Sequence, residues 1–319
     1  MRKIALLFTR FVTVLIWLLP AAPAQAQLVQ TFVSGLGSDG NPCTFAQPCQ
    51  HFQAAVNATA AGGEVDALDP GDYGSFTISH AITIEGQGWS YVAPPASGPG
   101  NPTAIIINAG TGDTIKIRGV LLDGFDIPAS IGIIFNSGGR LEITDSVVGN
   151  FNNNEIIVYA TTAMSLLISN TIVRGPGVGI SLNANASGAT ITGVFDKLTL
   201  DGAGVFAGAF YASLNLSITN SHVDNVDMTS VPVYLEGSSP NAISTVILKN
   251  VTLNQDIYGV LLLGNANVYL SRVTQTAPAG STSTSGVQFL SPNNAAFSDG
   301  TNHFTGPIVG GTLSAWPSQ

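Results

Sequence analysis

Two carboxylates, a histidine and an arginine occur in the second half of the chain at positions that a repeat would bring together. They are Arg174, Asp201, His222 and Asp224. If successive repeats stack in register, Asp201 and Asp224 lie one strand apart, roughly 5 Å. Repulsion between two neighbouring carboxylates raises the pKa of one of them, so that one is protonated while the other is ionised. Such a pair can act as acid and base. That separation is typical of double-displacement glycosidases. The alternative is a surface ion pair in which Arg174 neutralises Asp201.

Three polar residues surround this set in the same two columns of the repeat. They are Thr199, Thr252 and Asn254. The residues between the two columns are apolar, so the alternation of a β-strand points the polar side chains outward. We predict these three residues to be ligand-binding.

A second acidic cluster lies earlier in the chain, at Glu64, Asp66, Asp69 and Asp72. Carboxylate oxygens are the ligands that Ca²⁺ prefers. No ligand loop of recognisable spacing is present, however, and aspartate also forms turns. The sequence therefore predicts no metal site and no required cofactor, with Ca²⁺ as the one candidate ion.

Three tyrosines near the second strand of three repeats could form an aromatic strip that stacks on sugar rings. They are Tyr159, Tyr211 and Tyr234. Packing in the core is the alternative.

The segments that position these residues repeat along the chain, which is the strongest signal in the sequence. Ile143–Val148, Ile168–Val173, Ile218–Val223 and Leu248–Leu253 superpose without gaps, and looser copies begin at Ile117, Phe195 and Leu270. Successive copies are about 25 residues apart. A unit of this size cannot form a core alone, so the copies must stack.

Each repeat also contains a second apolar run that begins with Gly or Pro. These runs are Gly132–Phe135, Gly179–Leu182, Pro232–Leu235, Gly259–Leu262 and Gly286–Phe289. Short runs rich in Val, Ile and Leu between Gly, Asn, Asp and Ser are typical of β-strands. We predict an all-β fold, a single-stranded parallel β-helix of about eight rungs, whose first clear rung contains Ile82–Ile84.

The residue two positions after each anchor is predicted to make a sharp turn. Five of the seven are Gly, Asn or Asp, which tolerate left-handed backbone geometry. We expect Asn170, Asn220 and Asn250 to form a partial side-chain ladder, which Lys197 and Arg272 interrupt.

Both ends of a solenoid need covers. The stretch from Pro48 to Ala58 is predicted to be a short amphipathic capping helix, stopped by Gly62-Gly63, and Pro307–Gln319 with Trp316 is predicted to cover the other end. Residues 27–62 would form an N-terminal segment and 63–319 the β-helix with its C-terminal cap. Val92–Thr103 and Ala277–Ser285 are predicted to be protruding loops.

The first 26 residues have the pattern of a secretion signal. A basic start and an apolar run to Leu19 precede Ala24-Gln25-Ala26, a small-x-small cleavage site. The alternative is an uncleaved membrane anchor, against which Arg10 argues. We predict a secreted protein, periplasmic or extracellular, with no membrane contact after cleavage. In such a compartment Cys43 and Cys49 would form a disulfide, since no second cysteine pair completes a metal site.

Charge excludes one class of partner. The chain has 10 basic and 19 acidic residues, a formal net charge of −9. Nucleic acids require a basic footprint, so they are not expected partners.

The opening of the mature chain resembles a known family. Phe52–Val56, Ala61–Val65 and Leu68–Tyr73 are similar to the start of pectin-lyase-like right-handed β-helix proteins, where a capping helix precedes a Gly-Gly turn, a strand and a Pro-Gly-x-Tyr turn. The resemblance extends from about Thr31 onward and implies a right-handed sense. It also implies a polysaccharide or cell-surface glycan as partner.

The chain departs from the enzymes of that family. It has no Gly-His-Gly or Arg-Ile-Lys segment of the polygalacturonase kind, and no Asp-His or Arg-x-Pro-x-x-Arg segment of the pectate lyase kind. We therefore favour a structural or glycan-binding module. The alternative is a polysaccharide lyase or glycoside hydrolase that uses Arg174, Asp201, His222 and Asp224.

Overall fold

The protein was analysed as a computed structural model that describes residues 27–96, 100–176, 178–224, 226, 231–239, 241–254, 258–277 and 285–316. The predicted signal peptide, residues 1–26, lies outside the described residues. Within the described part of the chain, no helix has the length and apolar character needed to cross a membrane.

Almost all regular structure among the described residues is β-strand, with one helix, α1, at Phe52–Ala58. In chain order the strands are β1 (Leu28–Val33), β2 (Thr59–Ala67), β3 (Gly71–Asp72), β4 (Phe76–Ile78), β5 (Ile82–Val92), β6 (Thr103–Asn108), β7 (Thr114–Asp123), β8 (Ile131–Ser137), β9 (Arg140–Thr144), β10 (Val147–Gly149), β11 (Asn154–Ala160), β12 (Met164–Ser169), β13 (Ile172–Arg174) and β14 (Gly179–Ala184). They continue as β15 (Ile191–Asp196), β16 (Thr199–Asp201), β17 (Gly204–Ala209), β18 (Leu214–Thr219), β19 (His222–Asp224), β20 (Val233–Gly237), β21 (Ser244–Asn254), β22 (Tyr258–Gly264), β23 (Ala266–Gln275), β24 (Ser285–Phe289), β25 (Ala295–Ser298), β26 (His303–Phe304), β27 (Ile308–Val309) and β28 (Leu313–Ala315).

These strands wind into a parallel β-helix with three faces. A sheet of 18 strands forms the first and second faces, and a sheet of 10 strands forms the third. A typical coil contributes β12 to the first face, β13 to the second and β14 to the third, and each strand pairs in parallel with its equivalents in the coils before and after. The third-face strands between the short end strands β4 and β27 number eight, which agrees with the predicted count of rungs.

The predicted repeat is confirmed by the register of the first face. Its anchor residues form one continuous interior row, and each is 1% exposed or less. The row consists of Ile117, Ile143, Ile168, Phe195, Ile218, Leu248 and Leu270. Full burial of a side chain of this size contributes about 1.5–3 kcal/mol, so this row is a main source of stability.

The predicted second strands form the third face. Their Val and Ile residues make an inner row that includes Ile133, Ile156, Ile180 and Val205. A glycine precedes three of these four inner residues because the backbones of successive coils approach closely there. A Cβ on Gly132, for example, would collide with the carbonyl oxygen of Glu155 in the next coil. The recurrent Gly-Ile and Gly-Val pairs therefore mark the points where successive coils touch at the start of this face.

The turn between the first and second faces is left-handed at all seven predicted positions. The residues are Gly119, Asp145, Asn170, Lys197, Asn220, Asn250 and Arg272, with φ between 48° and 60°. Lys197 and Arg272 adopt the same geometry as the others, although their side chains favour it less.

The ladder along this turn is partial, as predicted. The Asn170 amide donates to Asp145 at 2.6 Å, and the Asn250 amide donates to the Asn220 side-chain oxygen at 2.9 Å. The Asn220 amide in turn donates to the carboxylate of Asp196 at 2.7 Å. Hydrogen bonds to Asp196 from Thr219 and Asn220 hold the pKa of its carboxyl below the usual range.

The N-terminal helix caps the first coil through buried aromatic contacts. The ring of Phe52 lies 5.0 Å from that of Tyr73 and 5.2 Å from that of Phe76. The prediction that Gly62-Gly63 stops the helix is wrong, because α1 ends at Ala58 and both glycines lie within β2. The Thr59 hydroxyl donates to the Ala55 carbonyl at 2.7 Å and so bonds to the last turn.

The β-structure also begins earlier than the predicted first rung. Strand β1 lies within the predicted N-terminal segment and pairs in parallel with β2, which pairs with β5. The predicted disulfide between Cys43 and Cys49 is present. It fastens a short loop to the end of β1, where the backbone amide of Cys49 donates to the Phe32 carbonyl at 3.0 Å.

The C-terminal segment, predicted to cover the open end, adds strands to the coil. Strands β27 and β28 add to the third and first faces. The ring of Trp316 lies 5.4 Å from Tyr269. Residues 278–284 of one predicted loop and 97–99 of the other lie outside the described residues.

The left-handed turn leads to a stability prediction for Lys197→Asn. A left-handed backbone costs most residues about 1–2 kcal/mol, whereas Asn adopts it readily. We expect the substitution to raise the free energy of unfolding by about 1 kcal/mol, measured as a higher melting temperature by circular dichroism. The control is Lys249→Asn, which removes the same charge from extended strand β21. An equal gain in the control would contradict the role of the turn.

Candidate functional site

The structure brings the predicted patch together on the second face. Arg174, Asp201, Asp224 and Asn254 are consecutive partners in one outward column. Thr199, His222 and Thr252 are consecutive partners in the neighbouring outward column. All seven side chains are exposed or half-buried.

Polar contacts join the later members of the patch. Nε2 of His222 lies 3.5 Å from a carboxylate oxygen of Asp224. The amide of Asn254 donates to the other Asp224 oxygen at 3.3 Å and accepts from the Thr276 hydroxyl at 2.5 Å. The aliphatic part of Arg174 lies over Gly149, its neighbour on the side opposite Asp201, because a Cβ on Gly149 would fall 2.5 Å from Cγ of Arg174.

This patch lies on an open sheet face beside a modest cavity. A cavity of about 350 Å³ borders the turn between the first and second faces and reaches Ile172 and Thr199. None of the four candidate catalytic residues lines it. Their catalytic roles stay a prediction.

Two of the four acidic residues near the N-terminus, Asp69 and Asp72, use their carboxylates to hold turns. Asp69 accepts hydrogen bonds from the Ser34 hydroxyl, the Gly35 amide and the Tyr73 hydroxyl. Burial opposes ionisation of Asp69, but these bonds outweigh it and hold the pKa of its carboxyl below the usual range. Within the described ranges, no three His, Cys, Asp or Glu residues are grouped closely enough to hold a metal ion.

The three tyrosines all lie on the outer side of the β-helix but do not form a single row. Tyr159 is the partner of Asn183, whereas Tyr234 is the partner of Phe206 in a different column. Tyr211 follows β17 in the turn that leaves the third face, and it is 64% exposed.

Two of these tyrosines line two cavities that open on the third face and are larger than the one beside the patch. The first, which we call the apolar cavity, has a volume of about 540 Å³. Its lining consists of Asn154, Val178, Ser181, Val205, Phe206, Val231, Tyr234 and Leu261. The second, the polar cavity, has a volume of about 450 Å³ and is lined by Asn185, Phe210, Tyr211, Ser238 and Ser239.

A ridge of aromatic rings separates the two cavities. The Phe206 ring lies 5.2 Å from Tyr234 and 6.1 Å from Phe210. Both phenylalanine rings fold over Gly208, where a Cβ would come within 2.8 Å of each. Burial, and then the neighbouring Glu236 carboxylate, raise the pKa of the Tyr234 hydroxyl to about 12, so this hydroxyl stays protonated and donates to Glu236 at 3.3 Å.

The polar cavity is built on three stacked turns held by their backbones. The amides of Phe210 and Tyr211 donate to the Ala184 carbonyl, and the amide of Ser238 donates to the Ala209 carbonyl. The Ser238 hydroxyl donates to Glu236 at 2.9 Å. These backbone hydrogen bonds fix the turns relative to one another, and the side chains of Asn185, Tyr211 and Ser239 extend from the turns toward solvent.

One buried carboxyl group lies beside the apolar cavity. Glu155 follows Asn154, a lining residue, and is fully buried against Gly175. Neither carboxylate oxygen has a hydrogen-bond partner among the described protein atoms. Burial raises the pKa of Glu155 to about 8, although the nearby amides of Glu155, Gly179 and Phe151 lower it in part.

The sequence contains a signal for Glu155 that is separate from the repeated apolar pattern. Equivalent positions in other coils are glycine, as at Gly132, Gly179 and Gly204. Glu155 is therefore an acidic residue at a repeat position that is glycine in these other coils, and this difference is visible in the aligned repeats. Phe206 in β17 and Phe210 just after it carry no such signal, and the serines of the polar cavity carry none because serine is frequent in turns throughout the chain.

Comparison with known proteins gives matches only to solved structures. Neither a protein-family model nor a curated protein sequence matches the chain. A protein of Geobacillus virus E2, ORF18, aligns with a TM-score of 0.45 at 13% identity, covering 86% of this chain and 62% of the viral protein. The chain thus spans less than two thirds of that protein's length.

Two enzymes give similar alignments. The pectate lyase Pel9A has a TM-score of 0.43 at 13% identity, with 91% of this chain and 78% of the lyase covered. An alginate lyase from Paenibacillus sp. str. FPU-7 has a TM-score of 0.37 at 11% identity, with 90% of this chain and 99% of the lyase covered.

The raised pKa of Glu155 predicts a pH dependence of stability. Between the ordinary pKa of 4.5 and about 8, the folded protein holds a proton that the unfolded chain has lost. The stabilisation is therefore complete below pH 4.5 and falls as the pH rises toward 8, by up to about 1.4 kcal/mol per pH unit. We expect Glu155→Gln, measured by urea unfolding at pH 5 and pH 8, to remove this decline.

The control for this experiment is Glu142→Gln, which removes a carboxylate that is ion-paired with Arg140 on the first face. It leaves Glu155 intact and should keep the decline between pH 5 and pH 8. A decline of the same size in Glu155→Gln would show that another group is responsible.

Proposed function

We propose that the chain is an exported β-helix protein that binds a glycan, and that a sugar residue stacks on Tyr211 in the polar cavity. The observation that carries this proposal is the exposed Tyr211 ring in a concave site among amide and hydroxyl side chains. Ligand sites are typically concave and combine apolar surface with a few convergent polar groups.

The chemistry of the polar cavity suits a sugar. One side of a sugar ring presents C–H groups, which pack on an aromatic ring, and its edge presents hydroxyls. A tyrosine offers an apolar face together with a polar tip. Asn185 donates and accepts hydrogen bonds, as does the hydroxyl of Ser239, whereas the Ser238 hydroxyl donates to Glu236 and can accept from a ligand. No charge is required for this recognition, and the described lining residues are uncharged.

Export is part of this proposal. It is supported by the secretion pattern of residues 1–26 and by the disulfide between Cys43 and Cys49, since disulfides persist in oxidising compartments.

The proposal is tested by glycan-array binding followed by calorimetry on the best ligand. We expect Tyr211→Ala to weaken binding roughly tenfold, because an aromatic contact contributes about 0.5–1.5 kcal/mol beyond the area it buries. The matched control is Tyr159→Ala, which removes a tyrosine that is 37% exposed on the same face but lines neither cavity. Equal losses in the two variants, or no loss in Tyr211→Ala, would contradict the site.

A second candidate function is cleavage of an acidic polysaccharide at the patch on the second face. It is favoured by the direct pairing of Asp201 with Asp224 and by the 3.5 Å contact between His222 and Asp224. Incubation with pectins and alginate, with assay for unsaturated or reducing ends, should then give product. We expect Asp201→Asn and Asp224→Asn each to abolish it, whereas binding that survives both substitutions without product supports the glycan-binding role alone.

A further inference from the structure

The apolar cavity is not explained by sugar binding. Five of its eight lining residues are aliphatic or phenylalanine, and its two non-aromatic polar residues, Asn154 and Ser181, are themselves buried. None of these eight described lining residues is charged. Its wall residues Val178 and Val231 precede strands of the third face. An outward cavity of this composition exposes apolar surface to water unless a ligand covers it.

The cavity is elongated along the axis of the β-helix. Its lining comes from five successive third-face strands or the residues just before them, β11, β14, β17, β20 and β22. Four steps of the strand spacing correspond to a length of about 19 Å. Its volume of about 540 Å³ lies within the range of small-molecule sites. An elongated, uncharged trough fits an extended hydrocarbon chain better than a compact polar ligand.

The apolar and polar cavities meet at the aromatic ridge. Phe206 lines the first, Phe210 lines the second, and their ring centroids are 6.1 Å apart. A ligand with a polar head and an apolar tail can therefore occupy both cavities by crossing one pair of rings.

We infer that the apolar cavity binds the alkyl chain of an amphiphilic glycan whose sugar occupies the polar cavity. This inference rests on the proposed function and adds the class of ligand, an alkyl glycoside or a glycolipid. The alkyl chain of the ligand displaces water from Phe206, Val231 and Leu261. The sugar of the ligand stacks on Tyr211, on the other side of the aromatic ridge. Specificity for an amphiphile follows because neither half of the ligand fills the other cavity equally well.

The test compares octyl β-D-glucoside with methyl β-D-glucoside, both below the micelle-forming concentration, by calorimetry and saturation-transfer NMR. We expect the octyl glycoside to bind at least tenfold more tightly. Leu261→Asn should weaken octyl glycoside binding about tenfold and leave methyl glycoside binding unchanged. The matched control is Leu263→Asn, on the same strand and two residues further along, which lines neither cavity.

The outcomes separate the inference from the proposed function. Equal affinity for the two glycosides, or equal effects of Leu261→Asn and Leu263→Asn, would contradict alkyl-chain binding in the apolar cavity. A loss of glycoside affinity in Tyr211→Ala would still support the sugar site in that case. If Tyr211→Ala changed the affinity for neither glycoside, the sugar site would fail. A selective loss of octyl binding in Leu261→Asn would still support a hydrocarbon site.

Discussion

In-register pairing of parallel strands between successive coils is the constraint on which the rest of the structure depends. One outward column can be followed by direct pairing from Asp72 through Tyr91 and His222 to His303. Because side chains alternate along a strand, a slip of one residue in any coil would exchange its inner and outer residues. The interior row of anchors prevents such a slip, since it would expose residues such as Ile143 and Ile168 to water.

This constraint leaves the outer faces free to differ from one another. The second face carries an apolar segment in the early coils, with Leu121 and Val147, and becomes polar from Thr199 onward. The third face carries aromatic rings where its middle coils stack. The outward residues of the solenoid therefore differ in polarity from coil to coil, while the interior row of anchors stays apolar. Outward residues on this scaffold can therefore be exchanged without changing the buried rows.

The parts of the fold that follow from repetition could be predicted from sequence, whereas the concave sites could not. The anchor row and the left-handed turn recur at fixed offsets, so alignment of the repeats located both. The patch around Asp201 and Asp224 also followed, because pairing places equivalent residues side by side. The cavities depend on corners such as Val231 and Ser239, whose position relative to the strands is not periodic. The direction of Tyr211 and Tyr234 required a third-face register that the sequence did not define.

The three corners of the coil differ in how much their length varies. In the seven coils from Gly119 to Arg272, the turn between the first and second faces holds one left-handed residue at the same offset from the anchor, whereas the β5 coil has extra residues between Glu85 and Ser90. The corner that leads to the third face is short from Lys197 to Val205 and nearly twice as long from Arg272 to Val287. Within these seven coils, insertions and deletions are thus tolerated at two edges of the β-helix and absent from the third. Both cavities are walled by residues from the tolerant edges, so related chains can diversify their ligands by changing loop length there without disturbing the stack.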